Sequence, residues 1–429
     1  MSRIKIFTIL FLLSSFGIVS AQTAKDEIFN TIEKAGGIYY AYPDNQIKQH
    51  TPALKGYKAF YVSHFGRHGS RYLSKDSEYK DILNIFEKAS ENKALTSLGE
   101  NILLWLRDVW AEAEERGGDL SALGVQQHRD IAERMYKSYP EVFTGSSIHI
   151  TARSTPVVRC TLSMDAFCER LKELNPELKI SRDASVRHNR CLNYHTKEAV
   201  SFRYSPDTWG EEYNKFEADH VKPERFVSTL FSDKDYVIKR INLKSLMWGL
   251  YYIAVGMQNI ETRHSFLELF EKQELFDLWQ CCNYRQYVTY ANYALNNGVM
   301  MDNAKPLLQD MITLADNAIK EGRNGADLRF GHDGNIIPLA MLMHLENCYE
   351  SVSEPTEFYK AWANFRITPM AGNIQIIFFR KTGSDGILVK FLLHENEVLL
   401  PGLNSDIQPY YDWKDVKKYY ALNKEVSGL

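Results

Sequence analysis

The stretch "YVSHFGRHGSRY", Tyr61–Tyr72, joins an apolar run to a cluster of charged side chains. Its aromatic and β-branched residues predict a β-strand, and the glycines that follow predict a tight loop. The loop brings together Arg67, His68 and Arg71. Two guanidinium groups repel a protonated imidazole, so the cluster is favourable only if an anion lies among them. A strand that ends in an anion-binding loop is typical of open α/β sheets, which place their sites at the carboxyl ends of strands.

The overall composition is that of a globular protein. The chain has 429 residues, of which 45% are hydrophobic and 24% are charged. This length accommodates two domains, or one large domain that carries an insertion. The formal net charge of −3 argues against a broad basic surface for nucleic acid. Any anion site is therefore expected to be local.

The N-terminus has the features of an export signal. Basic residues in "MSRIK" precede the apolar segment "IFTILFLLSSFGIV", and the small residues "VSA" end at Ala21. This order predicts a signal peptide over residues 1–21 and a mature protein that is periplasmic or extracellular. The apolar segment is short for a membrane span, so no membrane attachment is expected after cleavage.

The cysteine content leaves the redox state open. The even number of cysteines permits disulfides but does not give their connectivity. A bond between the adjacent Cys281 and Cys282 is not expected, because it would be strained. The cysteines are Cys160, Cys168, Cys191, Cys281, Cys282 and Cys348.

The first half of the chain alternates predicted strands and helices. In "SLGENILLWLRDVWAEAEER", Ser97 and Glu100 predict a capping box at the start of a helix. A second helix follows in "LSALGVQQHRDIAERMYKSYP", and its opening "LSALG" shares helix-start chemistry with the earlier "LTSLG". "SIHITARS" then predicts a strand, and "VVRCTLSMDAFCERL" predicts a loop that enters a helix. This alternation indicates an α/β fold.

The second half predicts a helical insertion and then a return to the sheet. Helical patterns dominate from residue 187 to residue 320, in "INLKSLMWGLYYIAVGMQNI", "HSFLELFEKQELFDLWQC", "RQYVTYANYALN" and "AKPLLQDMITLADNAIK". A short strand returns in "ADLRFGHDGNIIPLAMLM", and "NIQIIFFR" and "ILVKFLLHE" predict a hairpin through Asp385–Gly386. The expected domains are residues 22–186 with 321–429, forming a discontinuous α/β domain, and residues 187–320, forming a mostly helical insertion.

The charged residues at strand ends indicate phosphate chemistry. Arginine forks match phosphate oxygens and stay charged at any working pH. A histidine among them is kept neutral, so its nitrogen can attack phosphorus. "FGHDGN" supplies His332 and Asp333 at the end of another strand, and "ARSTPVVRCTLSMDAF" supplies Arg153 and Arg159 after a third.

On these motifs the sequence resembles the histidine acid phosphatases, the larger branch of the histidine phosphatase superfamily. "RHGSR" resembles that family's RHGxR signature, and "GHD" resembles its catalytic His–Asp pair. The order of motifs is also similar: RHGxR, a middle arginine, a helical insertion and then His–Asp. "RCTLSMDAF" is most similar to the corresponding stretch of multiple inositol polyphosphate phosphatases. The resemblance implies a three-layer α/β/α domain with a mixed central sheet and an inserted helical domain.

The resemblance also implies a role for each motif residue. His68 corresponds to the nucleophile, and Asp333 to the acid that protonates the leaving group and then activates water. No cofactor or metal is expected, because the arginines neutralise the phosphoryl group. The residues that bind the phosphoryl oxygens correspond to Arg67, Arg71, Arg159 and His332.

Other residues have two readings each. Arg153 either lines the cleft or is structural. The stretch "SVRHNRCLNYHTK" is either a substrate wall or a charged surface, and it holds Arg187, His188, Arg190, His195 and Lys197. His64 either orients the motif or is a hydrogen-bonded core residue, and the second role is expected. His394 and Glu395, at the end of the last strand, are expected to face solvent.

The sequence therefore predicts a secreted phosphomonoesterase that acts through a phosphohistidine. Its expected partner is a small organic phosphate monoester, with inositol phosphates such as phytate among the candidates. One alternative is a phosphotransferase that passes the phosphoryl group to an acceptor other than water. The other is a phosphate- or phosphosugar-binding protein without turnover.

Overall fold

The strand predicted from the opening stretch lies at the centre of the fold. The computed structural model describes residues 23–145 and 148–422. β1 (Tyr57–Arg67) is buried from Ala59 to its end. It pairs in parallel with β4 (Asn324–Gly331) and antiparallel with β5 (Asn373–Lys381). A strand with partners on both sides satisfies its backbone groups in the sheet, which suits a sequence rich in aromatic and β-branched residues.

The sheet is mixed. Its strand order is β3-β2-β4-β1-β5-β6-β7, with β8 paired to β6. The strands on the β3 side run parallel, and those from β5 onward are antiparallel to their neighbours. The predicted hairpin is confirmed as β5 and β6. The remaining strands are β2 (Ile148–Ser154), β3 (Ile180–Ala184), β6 (Ile387–Leu393), β7 (Asn396–Val398) and β8 (Tyr411–Asp412).

Helices occupy most of the remaining chain. The α-helices are α1 (Ala24–Asn30), α2 (Ser77–Glu91), α3 (Ser97–Ala113), α4 (Ala122–Ser138), α5 (Pro140–Phe143), α6 (Val158–Leu174), α7 (Asn189–Leu192), α8 (Lys197–Tyr204), α9 (Gly210–His220), α10 (Pro223–Leu230), α11 (Lys234–Arg240), α12 (Leu243–Gly256), α13 (Lys272–Tyr290), α14 (Lys305–Glu321), α15 (Asp333–Leu342), α16 (Phe358–Ala361), α17 (Asn364–Ile367) and α18 (Trp413–Leu422). Short 3₁₀ helices are Ile32–Tyr39, Asp44–Gln46, Val186–His188, Pro206–Thr208, Met257–Asn259, Phe266–Leu269, Ala294–Asn296, Met301–Ala304 and Pro355–Glu357.

Helices cover both faces of the sheet. On one face, Val62 of β1 packs in a cluster with residues of α4 and α6 such as Ile131 and Phe167. On the other face, Tyr61 and Phe65 belong to a larger cluster that includes residues of α14, α15 and α18. Because neighbouring side chains of a strand point to opposite faces, one short sequence supplies both cores. The predicted α/β fold is confirmed.

The region between β3 and β4 is helical. Among the described residues from 185 to 323, no strand joins the sheet. Two helical runs predicted from sequence are divided differently in the structure: a 3₁₀ turn at Phe266–Leu269 precedes one continuous helix, α13, which ends at Tyr290. The division of the chain into domains at residues 187 and 320 stays a prediction.

The starts of α3 and α4 share one capping arrangement. The Thr96 hydroxyl accepts a hydrogen bond from the Gly99 N–H, and the Ser121 hydroxyl accepts one from the Gly124 N–H. This confirms the common helix-start chemistry of "LTSLG" and "LSALG". The predicted capping box of Ser97 and Glu100 is wrong, because Thr96 is the N-cap and the Glu100 carboxylate accepts from Ser90 instead.

Three further expectations concern the termini and the cysteines. The predicted signal peptide lies outside the described residues. Within the described part of the chain, no helix combines the length and the apolar character that a membrane span requires. All six cysteines are free thiols, and only Cys282 among them is not fully buried.

Candidate active site

The predicted motif residues meet at the carboxyl ends of three parallel strands. In the sheet register, Arg67 at the end of β1 lies opposite Gly331 at the end of β4. The next residue on each strand is a histidine, so His68 and His332 lie side by side with their ring centroids 5.9 Å apart. The parallel register thus brings together two motifs that are separated by more than half of the chain.

The conformation of the His68 loop depends on close backbone packing. A Cβ atom on Gly69 would lie 2.4 Å from the Gly124 carbonyl oxygen, so only glycine fits there. The His68 Nδ1 lies 2.9 Å from the Gly69 carbonyl oxygen. A carbonyl oxygen only accepts, so Nδ1 carries the proton and Nε2 keeps a free lone pair. This is the tautomer that a nucleophilic Nε2 requires.

Burial is the main reason that the pKa of His68 lies well below its ordinary value of 6.5. The guanidinium groups of Arg67, Arg71 and Arg159 lower this pKa further, because they oppose a second positive charge. The imidazole is only 2% exposed. It is therefore a neutral base in a positively charged surrounding.

Arg67 and Arg71 are buried and held mainly by backbone carbonyls. Arg67 Nη1 donates to the carbonyl oxygens of Ile38 and Thr368, each at 2.7 Å. Arg71 Nη1 donates to the Tyr72 carbonyl oxygen at 2.7 Å. The Nε atoms of both arginines are buried and have no hydrogen-bond partner among the described residues. Buried donors of this kind are rare in folded proteins and suit an anionic ligand.

Arg159 and Cys160 approach the site from the first turn of α6. Arg159 is partly buried, and burial lowers the pKa of its guanidinium group. The Cys160 thiol lies 3.7 Å from Nε2 of His332, and the Thr155 hydroxyl lies 3.2 Å from the same nitrogen. These two side chains orient His332 toward His68. Burial lowers the pKa of His332 to about 4, and nearby Arg159 adds to this shift.

Asp333 is the first residue of α15 and completes the cluster. Burial raises the pKa of its carboxyl group, and the charges of Arg67 and His332 lower it. Arg71 and the Gly334 N–H also lower this pKa, so the net value lies below the ordinary 3.8. In the site without substrate, Asp333 is therefore a carboxylate at neutral and mildly acidic pH.

A cleft of about 390 Å³ opens beside Arg71 and Asp333. Its walls come from the N-terminal segment and from helices α12 and α13, which sequence reasoning did not assign to the site. The walls are mainly aromatic and polar. They include Ile38, Tyr39, Ser74, Glu78, Tyr251, Tyr252, Cys282, Arg285, Gln286, Thr289, Tyr290 and Asn364.

A second group lies next to Gly334, and of its members the sequence singled out only His195, in the stretch considered as a substrate wall. A Cβ atom on Gly334 would lie 3.0 Å from the Tyr290 ring and 3.8 Å from the His195 ring, so both side chains abut the start of α15. The Arg203 guanidinium lies over the Tyr290 ring at 4.0 Å. Nε and Nη2 of Arg203 are buried without hydrogen-bond partners. His195 precedes α8, whereas Arg203 lies in α8 and Tyr290 in α13, so no local motif signals their grouping.

The three candidates for a cleft wall lie elsewhere. Arg153 forms a two-pronged ion pair with Asp310, with N–O distances of 2.9 and 3.1 Å. Arg187 is exposed and pairs with Asp183, and Arg190 is exposed. None of the three lines the cleft beside Asp333.

The structure differs in part from what the sequence predicted for His64, His394 and Glu395. His64 is buried as expected, but neither ring nitrogen has a hydrogen-bond partner. His394 and Glu395 are 6% and 4% exposed, and do not face solvent as expected. Glu395 is instead paired with Arg134 at 2.7 Å. The end of the last strand is therefore packed and charge-paired.

The residues present could bind an anion more readily than a metal ion. Among the side chains in 23–145 and 148–422, no group of three His, Cys, Asp or Glu residues is arranged to hold a metal. The site itself combines three arginines and two neutral histidines around one carboxylate.

Residues 62–394 match the model of the histidine phosphatase superfamily, branch 2. The match spans most of the chain and includes both motifs. The chain therefore belongs to this family, and it is a phosphatase of the histidine type.

Solved structures of similar fold include a multiple inositol polyphosphate phosphatase and phytases. The Bifidobacterium longum multiple inositol polyphosphate phosphatase, in complex with inositol hexasulfate, has a TM-score of 0.77 at 18% identity, over 90% of this chain and 97% of that chain. A phytase from D. castellii has a TM-score of 0.64 at 16% identity, over 92% and 86% of the two chains. The Hafnia alvei phytase with tartrate has a TM-score of 0.51 at 12% identity, over 87% and 99%. No curated protein matches the chain in sequence.

Proposed function

We propose that this phosphatase hydrolyses organic phosphate monoesters through a phosphohistidine on His68. The observation that carries the proposal is the state of the His68 imidazole. Its Nδ1 is bonded to the Gly69 carbonyl oxygen, and its pKa is far below 6.5. The free Nε2 therefore faces the arginine cluster as a neutral nucleophile.

In the first step, the lone pair of His68 Nε2 attacks phosphorus and a P–N bond forms as the P–O bond to the leaving group breaks. Arg67, Arg71 and Arg159 stabilise the negative charge on the transferring group. Asp333 gives its proton to the leaving oxygen. A bound phosphate ester adds negative charge beside Asp333, which raises the pKa of this carboxyl group from its low value in the unliganded site.

In the second step, the Asp333 carboxylate takes a proton from water while the water oxygen attacks phosphorus. The P–N bond breaks, its electron pair returns to His68 Nε2, and inorganic phosphate is released. Asp333 is protonated again and ready for the next ester. The charge neutralisation in this scheme comes from the three arginines, so it uses no cofactor.

The substrate class and the location are also part of the proposal. The solved structures of similar fold are named for inositol polyphosphates and phytate, so these esters belong among the substrates to be tested. The cleft beside Asp333 has a tyrosine-rich wall that also contains Arg285, which supports a polar leaving group. The N-terminal segment 1–21 has the order of a signal peptide, which supports action after export.

Phosphate release in EDTA tests the proposal. The mature chain, residues 22–429, is given an aryl phosphate, a sugar phosphate and phytate at acidic and neutral pH. We expect turnover without added metal and an acid-labile phosphoenzyme under rapid quench. His68→Ala should lose both signals and still bind inorganic phosphate.

The outcomes separate the alternatives. Phosphate bound without release would favour a binding protein, and a phosphoenzyme that discharges only to an added alcohol would favour a phosphotransferase. Near-full activity of His68→Ala would show that His68 is not the nucleophile.

A further inference from the structure

The N-terminal segment before β1 passes directly over the site. Arg67 Nη1 donates to the Ile38 carbonyl oxygen, and Asn259 Nδ2 donates to the Tyr39 carbonyl oxygen at 2.8 Å. On the following residues, the Met370 N–H donates to the Tyr40 carbonyl oxygen at 2.8 Å. The segment is thus bonded to the site arginine, to the helical region and to the loop before β5. It also lies ahead of residue 62, where the match to the family begins.

A glycine allows this segment to turn into the site. Gly37 has a φ of 56°, which other residues adopt at a cost. A Cβ atom at this position would lie 2.8 Å from the Asn364 side-chain amide. The turn at Gly37 brings Tyr39 into the cleft that Arg71 and Asp333 also line.

The side chain of Tyr39 is fitted to Arg71. The guanidinium carbon of Arg71 lies 5.0 Å from the centre of the Tyr39 ring, a cation–π contact. Arg71 Nη2 also donates to the Tyr39 hydroxyl at 3.4 Å. The opposite prong, Nη1, is held by the Tyr72 carbonyl oxygen. These contacts hold both Nη atoms of the guanidinium group. The Arg71 Nε has no hydrogen-bond acceptor among the described residues.

The Tyr39 hydroxyl lies in the field of the whole arginine cluster. Burial lowers the pKa of Arg67 and the pKa of Arg159. Tyr39 is close enough to both guanidinium groups to raise each of these pKa values in the opposite direction. Tyr39 itself is only 6% exposed. Its hydroxyl accepts from Arg71, and no described residue accepts a hydrogen bond from it.

We propose that Tyr39 is a positioning residue for the phosphoryl group: its ring and hydroxyl hold the Arg71 guanidinium group in the orientation that binds phosphate. This inference rests on the proposed phosphatase function and adds a residue from outside the family match. An arginine that is already held in one orientation loses less conformational freedom when phosphate binds, so Tyr39 strengthens phosphate binding and phosphoryl transfer together.

Two substitutions at Tyr39 separate the ring from the hydroxyl. Tyr39→Phe keeps the ring and should lower both kcat/KM for an aryl phosphate and the affinity for inorganic phosphate by about tenfold. Tyr39→Leu removes the cation–π contact as well and should cost roughly a further threefold. Tyr40→Phe is the matched control, because its hydroxyl accepts from Gln46 and its ring packs on Phe365, away from the site. It should match the wild type in both measurements.

A double-mutant cycle with Arg71→Ala distinguishes positioning from a structural role. If Tyr39 acts through Arg71, Tyr39→Phe should change phosphate affinity less than twofold in the Arg71→Ala background. Equal tenfold losses in both backgrounds would overturn the inference, as would wild-type behaviour of Tyr39→Phe. Thermal unfolding of each variant shows whether the fold is retained.

The same cycle separates this inference from the proposed function. If the wild type binds phosphate but releases none from any ester, the phosphatase proposal fails, and the cycle still tests Tyr39 through phosphate affinity. If the wild type turns over and the cycle is additive, only the role of Tyr39 fails. Absence of both turnover and phosphate binding would overturn both.

Discussion

At the scale of single residues, the site works by controlling two protons. One is the proton that His68 does not carry, because burial and three arginines keep its pKa well below 6.5. The other is the proton of Asp333: burial raises the pKa of this carboxyl group, but Arg67, His332 and Arg71 help to bring it below 3.8. In the proposed mechanism, the negative charge of a bound phosphate ester offsets them. In the proposed mechanism, one positive cluster thus sets the protonation state of both the nucleophile and the acid.

The state of His68 can be measured directly. Histidine ring ¹⁵N NMR should show no titration of His68 between pH 8 and pH 5, because the imidazole is already neutral throughout this range. The His68→Asn variant assigns the signal, and free histidine in the same sample provides the reference titration. A His68 signal that titrates near pH 6.5 would contradict the description of the site.

The role of Asp333 depends on the leaving group. Asp333→Asn should lower kcat/KM, which reports the first step, about 10²-fold or more for an alkyl phosphate, whose leaving oxygen needs a proton. For an aryl phosphate, which leaves without one, the loss in the first step should be less than tenfold. Glu78→Gln alters the other carboxylate of the cleft and is the control. Equal losses on the two esters would argue against Asp333 as the acid.

The sequence predicted the residues of this site that lie in local motifs and missed those placed by tertiary contacts. Arg67, His68, His332 and Asp333 follow strand ends, so their meeting could be inferred from the strand pattern alone. Tyr39 could not be found in this way, because its position depends on hydrogen bonds to residues more than 200 positions further along the chain.

At the scale of elements, the start of α4 supports the catalytic loop. Gly69 and Gly124 approach so closely that a Cβ atom on Gly124 would lie 2.2 Å from the Ser70 carbonyl oxygen. The Ser121 N–H also donates to this carbonyl oxygen at 2.9 Å. The helix end and the loop that carries His68 therefore form one packed unit.

Two matched glycine substitutions test this support. Gly124→Ala and Gly99→Ala introduce the same methyl group at the same position of a capped helix, and each Cβ would lie 2.2 Å from a carbonyl oxygen. We expect both to lower the free energy of unfolding by about 1–3 kcal/mol, because the backbone must shift. Only Gly124→Ala should also lower kcat/KM, since Gly99 contacts Leu230, away from the site. Equal kcat/KM values for the two folded variants would contradict a supporting role for α4.

The sequence predicted those strands and helices that have long runs of patterned apolar residues. β1, β2, the hairpin and helices such as α12 and α14 correspond to clear apolar runs. β3 was missed, since it has five residues and none of them is fully buried. The capping box at Ser97 failed for a different reason: Thr96 competes for the N-cap position, and sequence alone does not show which hydroxyl the backbone turn selects.

At the scale of the whole molecule, buried histidines make stability sensitive to acid. His64 and His128 are each 1% exposed, and burial lowers the pKa of both to about 3 in the folded protein. In the unfolded chain the ordinary value of about 6.5 returns, so the unfolded state binds more protons below that pH. The free energy of unfolding should therefore fall as the pH drops from 6.5 toward 3.

Urea unfolding at several pH values measures this effect. At pH 5, each of the two histidines should cost about 2 kcal/mol of stability relative to pH 7. His64 packs against Phe167 and Phe330, so leucine is a suitable apolar replacement. Between pH 6 and pH 4, His64→Leu should reduce the pH dependence of the free energy of unfolding by about 1.4 kcal/mol per pH unit. An unchanged slope in this variant would show that His64 is not a buried neutral group.

The central position of β1 affects how the protein folds during its synthesis on the ribosome. β1 pairs with β4 and β5, which are translated more than 250 residues later. Until then, both edges of an apolar strand have no partner, which invites association with other chains. A nascent chain therefore completes the pocket only after β4 and β5 have been synthesised, in the last third of the chain. A chaperone that covers residues 57–67 until that point would increase the yield of active enzyme.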